Sequence, residues 1–131
     1  MSSFTDDMEN SVLSHYFRNG TGAVFTAPVT VYAALFTVAP TDSTAGTEVT
    51  GAGYVRKAVT FNAASGGTVT NNGAVSWTAS GGNYGSVVAI GLMTASTAGS
   101  LMAYDDFTSA TVNDGDTISF ADGTGITVTV T

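Results

Sequence analysis

The chain has 131 residues, 44 % hydrophobic but only 10 % charged, and a net charge of −7. That length fits one domain with a real core, and three basic residues are too few to neutralise a row of phosphates or grip an anionic bilayer, so neither nucleic acid nor membrane is expected as a partner. The absence of cysteine excludes disulfide frameworks, thiolate metal sites and cysteine nucleophiles.

The opening "MSSFTDDMEN" lacks the basic and apolar regions of a secretion signal, and no apolar run approaches the roughly 20 residues of a membrane span. The expectation is a protein made in a cytoplasm and left there or assembled. Ser3 stands three residues before Asp6, as in a capping box, and Asp6, Asp7 and Glu9 crowd the first turn. Phe4, Met8, Val12 and Tyr16 recur every four residues, and Leu13 and Phe17 widen the stripe. Asn19-Gly20 is a stop signal. The pattern predicts one amphipathic helix, about Thr5 to Arg18, within a packing or assembly segment 1–20. A helix this short needs a surface to lie on, its own sheet or a neighbouring subunit.

Beyond Gly20 the apolar period changes from 3.6 to 2. Strands are predicted in "VTVYAALF" (29–36), "YVRKAVTF" (54–61), "AVSWTA" around Trp77, "GSVVAIGLM" around Ile90, "SLMAYDDF", "DTISF" and "ITVTVT". The breaks "ASGG", "NNG", "SGGN", "TAGS", "NDGD" and "DGTG" read as turns, and 41–53 as an extended surface loop. The sum is a mainly β chain: one antiparallel β-sandwich or jelly-roll-like domain, 21–131, of about seven or eight strands after one short helix.

Little in the sequence points to chemistry. The single histidine, His15, has no context suggesting a triad. Asp105 and Asp106 are adjacent, so a strand would send them to opposite faces rather than pair them. The turns holding Asp114, Asp116 and Asp122 could offer oxygens to calcium, but they match no calcium loop, and Asp-Gly is also what a turn needs. No catalytic residue, cofactor or metal ligand is expected. Arg56 and Lys57, two of the three basic residues, sit side by side in "GTEVTGAGYVRKAVTF". Alternation puts Val55, Val59 and Phe61 inward and leaves Lys57 on their face, which requires either a snorkelling lysine or a bulge after Gly53. Glu48, or an acid on another subunit, is the natural partner of Arg56.

Several stretches together carry a resemblance. They are Val31-Tyr32, Ala34 to Thr37, Pro40-Thr41-Asp42, Gly46 to Phe61, Asn71-Asn72, Val75 to Ala79, Tyr84 to Val87, Gly91, and Val112 with Gly115-Asp116-Thr117, Phe120 and Gly123 to Thr131. The arrangement resembles a family of small tailed-phage virion proteins often labelled tail fibre proteins. The resemblance implies a non-enzymatic structural protein of the virion, bound to capsid or tail proteins and to its own copies, with a trimer favoured. The expected role is capsid decoration, cementing the shell; the alternatives are a tail fibre or tail-tip component in host attachment, and a carbohydrate-binding module. The residues expected at the assembly interface are Phe4, Met8, Val12, Tyr16, Glu48, Arg56 and Lys57.

Overall fold

The computed structural model describes residues 3–18 and 26–130; the Asn19-Gly20 stop signal lies outside them. Strand β1 (Ser3–Phe4) leads into helix α1 (Asp6–Phe17). The strands that follow are β2 (Val31–Val38), β3 (Thr47–Glu48), β4 (Lys57–Phe61), β5 (Thr68–Asn72), β6 (Val75–Thr78), β7 (Gly85–Met93), β8 (Leu101–Val112), β9 (Thr117–Phe120) and β10 (Thr127–Thr129). Leaving aside the two-residue β1 and β3, eight strands remain, as the turn spacing predicts.

One eight-stranded sheet runs β1-β8-β7-β2-β4-β5-β10, with β3 also paired to β2, and every pairing is antiparallel. The sheet curls: Phe4 from one end of this order and Val69 and Val128 from the other line the same groove. A second, small sheet pairs β6 with β9 and packs its inner side chains onto the large one. Trp77 and Val75 of the small sheet share one buried cluster with Leu35, Val59, Val87, Leu92, Met102 and Ile126. The domain is therefore mainly β and sandwich-like.

"VYAALF" is an unbroken apolar run because β2 is covered on both faces. Ala33 and Leu35 enter the main cluster; Ala34 and Phe36 enter a second one with Ala89 and Met93. At Gly91, opposite Ala34, a methyl would meet the Leu101 and Phe36 side chains at 2.6 and 2.8 Å, so glycine lets these two lie over the sheet.

Three local expectations are corrected. The helix is capped by Thr5, not Ser3: Thr5 Oγ1 accepts from Met8 N at 3.3 Å and donates to the Leu101 carbonyl at 2.8 Å. Ser3 and Phe4 are drawn instead into pairing with Tyr104 and Ala103 of β8, so Phe4 is a strand residue and not the head of the helical stripe. In the second case, Val55 is exposed, because residues 51–53 all take positive φ (74°, 50° and 72°) and β4 starts only at Lys57. Lys57 is half-buried opposite Ala33, on the face of Val59, and the irregular 53–56 segment resolves the conflict in alternation.

The third correction concerns the 41–53 loop, which turns back onto the body. Glu48 pairs with Phe36, Thr47 with Val38, and Val49 is buried, its N–H donating to the Leu35 carbonyl at 2.9 Å. Gly46 makes this return possible. It has φ +66°, and a Cβ there would stand 2.5 Å from the Val38 carbonyl oxygen and 2.7 Å from Pro40 N. Gly46→Ala should therefore cost about 2–4 kcal/mol, combining left-handed strain with overpacking against backbone. Urea unfolding measures this; an unchanged midpoint would mean that β3 is not held to β2 as described.

Candidate assembly surface

Helix α1 lies against β8. Its first turn holds Asp6, Asp7 and Glu9 at the positive end of the helix dipole. The buried side is made by Thr5, Met8 and Ser14, with Met8 packed on the main core and Val12 half-buried. At 100° per residue Leu13 and Phe17 point away from Val12, whereas Tyr16, one turn beyond Val12 on the same stripe, is exposed in the last turn of the helix. Leu13, Tyr16 and Phe17 are 55 %, 71 % and 80 % exposed. Burying such side chains is worth about 1.5–3 kcal/mol each, which the isolated chain forgoes. The predicted stripe is thus divided: Met8 and Val12 face the body, Tyr16 faces solvent, and Phe4 lies off the helix. Leu13 and Phe17, which widen that stripe, are the most informative members of the exposed face. The His15 ring meets the Tyr16 ring edge-on at 5.1 Å.

Glu48 and Arg56 are brought together in one network. Arg56 Nε donates to Glu48 Oε1 at 2.9 Å and Arg56 Nη2 to Oε2 at 2.8 Å, a bidentate pair. Arg56 Nη1 donates to the carbonyls of Ala95 and Ala98, both at 2.7 Å. Tyr54 Oη donates to Glu48 Oε1 at 2.7 Å and accepts from Leu35 N at 3.0 Å. The Arg56 side chain is 9 % exposed and that of Glu48 25 %. The network ties β3, the 53–56 segment and the β7–β8 loop together, with Ala98 held at φ +52°. Lys57, next in sequence, opens β4 and takes no part in these bonds.

The charges follow the geometry. Burial pushes the Glu48 carboxyl up, but the bonds from Arg56 and Tyr54 outweigh it and hold the group below its ordinary value. Burial pushes the Tyr54 phenol well up; the Leu35 N–H opposes this and the Glu48 carboxylate adds to it. The hydrogen bond to Glu48 raises Arg56, against the effect of its burial. An ion pair this well satisfied acts as scaffold.

The acidic turns serve the backbone. Asp114 Oδ1 accepts from Gly81 N at 3.0 Å, Asp116 Oδ2 from Asn113 N at 2.9 Å, and Asp122 Oδ1 from Gly73 N at 2.8 Å. Among the described residues no three acidic, histidine or cysteine side chains gather as a metal site would need.

The family described as Podophage GP4 fiber I protein gp80 matches residues 3–129. The chain belongs to that family. The matched span contains every element from β1 to β10, so the gp80 resemblance rests on the whole sandwich and its helix rather than on one motif. Family membership makes this a phage structural protein and associates it with other virion components. No curated protein matches the chain.

Proposed function

We propose that this gp80-family chain is a fibre subunit of a tailed-phage virion that acts by burying surface against neighbouring subunits. The reading is non-enzymatic, and it favours a tail fibre over the capsid decoration role expected from the sequence. The observation that carries it is the exposed apolar end of α1, Leu13, Tyr16 and Phe17, on a member of a fibre family. A low-charge surface supports the same reading, because it is cheap to desolvate. Phe4, Met8 and Val12 contribute by setting the helix on β8. Glu48, Arg56 and Lys57 lie beside β2, within the sheet, and add rigidity to it.

A small epitope tag on an exposed loop, gold-labelled and imaged on intact virions, tests the placement. Label on the tail appendages is the expected result. Label over the head would replace the fibre reading with capsid decoration.

A further inference from the structure

The exposed end of α1 has an apolar counterpart elsewhere on the described surface. It is the groove where the curled sheet's ends converge, lined by Phe4, Ala64, Val69, Val128 and Val130 with Gly67 and Thr68. Its walls are carbon almost throughout. Its volume of about 260 Å³ is below the roughly 300–1,000 Å³ of small-molecule pockets and on the scale of one or two side chains. Ala64 and Val130 are exposed on its rim, Val130 by 63 %. The charges beside the two features are opposite. Exposed Arg18 follows Phe17 directly, in a chain with three basic residues. Asp6, Asp7 and Glu9, all exposed, begin two residues after Phe4.

We propose that the Leu13-Tyr16-Phe17 end of α1 docks into the Phe4-Val69-Val128-Val130 groove of a second copy of this chain, with Arg18 facing the neighbour's Asp6, Asp7 and Glu9. Knob and seat are different surfaces of one molecule, so the contact is heterologous. Repeated, it closes into a ring, a trimer among the possibilities, or continues as a filament. The inference rests on the assembly reading above but not on head or tail placement.

Three side chains and a groove this small bury less than the ~800 Å² per partner of a standard interface. Association of the purified chain is therefore weak and concentration-dependent. Sedimentation equilibrium from about 10 μM to about 1 mM, a range matched to weak affinities, should show an apparent mass that rises beyond the monomer. Phe17→Asp (knob) and Val130→Asp (groove) should each weaken association at least about tenfold, the loss expected when one buried anchor is removed. An equimolar mixture of the two variants should form a dimer and nothing larger, since each pair retains one intact knob and one intact groove. Both substituted positions are exposed; should either variant lose its native circular dichroism, Tyr16→Asp and Ala64→Asp replace them. A wild type that stays monomeric to about 1 mM, a groove variant that associates like wild type, or a variant mixture that does not pair would each overturn the proposal. Virion labelling and this measurement fail independently.

Discussion

Asn71→Ala should cost about 2–4 kcal/mol, a large share of a total stability of about 5–15 kcal/mol. Asn71 is fully buried, and its amide uses both ends. Nδ2 donates to the carbonyls of Gly73 and Ala121, each at 2.9 Å, and Oδ1 accepts from Ile126 N at 3.1 Å. Its own backbone takes Gly123 N–H and gives its N–H to Ile126. One side chain therefore fastens the 121–126 loop to β5. Truncation strands the buried Ile126 N–H, at about 1–3 kcal/mol, and takes one donor from each of two carbonyls nearer the surface, where water and, for Ala121, the Gly125 N–H remain as partners. Asn71→Asp keeps the acceptor but sets a carboxylate oxygen against two carbonyls. That carboxyl must bind a proton to donate, so its folded pKa is raised. The variant should then gain stability as pH falls through that pKa, because the folded state binds more protons than the unfolded. Urea unfolding at pH 7 and in mild acid checks both substitutions. An alanine variant within about 1 kcal/mol of wild type would show that the clasp is not a main support of the loop.

Arg56→Met should cost about 3 kcal/mol, at the low end for breaking a buried pair, since Glu48 is 25 % exposed and recovers some water. Two carbonyls of the β7–β8 loop lose their donor as well, so amide exchange over 94–100 should quicken. Glu48→Gln should cost less, because it still accepts from Tyr54. The double variant should cost less than the sum of the two, as expected for partners in one network. The pH dependence has a definite sign. The folded Glu48 pKa lies below its ordinary 4.5, so its contribution is complete above about that pH and is lost as pH falls through the depressed folded value. Wild type should lose stability more steeply than Glu48→Gln in that acid window, and the two should converge below it. Parallel curves would mean that the carboxylate is not the titrating support. A strictly additive double variant would separate the two residues.

The parts of the fold visible in the sequence are those where one face of a strand decides its residues. "GSVVAIGLM" lies where its apolar run puts it and Trp77 is core; of the alternating Ile126, Val128 and Val130, the first two turn inward while Val130 is exposed beyond the end of β10. What escapes is set by distant partners. Asn71-Asn72 reads as a turn because asparagine tolerates turn geometry, yet both residues are in β5; the reason lies fifty residues away, in the backbone of 121–126. Thr47–Glu48 is too short for any period to register. Ser3 and Thr5 are equally good caps by type, and only the pairing of Phe4 with Ala103 decides between them. Of the candidate surface, the apolar helix was legible but its division was not. Which of Met8, Tyr16 and Phe17 faces inward depends on where β8 lies beneath the helix. The partnership of Glu48 with Arg56 was anticipated; the two carbonyls that Arg56 also holds belong to a loop some forty residues on.

The groove at the sheet's seam takes its walls from residue 4, from 64–69 and from 128–130, and Phe4 is positioned by residue 103. At roughly 5–20 residues per second, a ribosome takes about 5–20 s to go from the first of these to residue 104, and longer to reach 130. Throughout that interval a nascent chain has neither the β8 surface that steadies its helix nor a finished groove. A link of the kind proposed above therefore needs at least one copy whose sheet has already closed. Translation order would then tie the first link to the completion of folding.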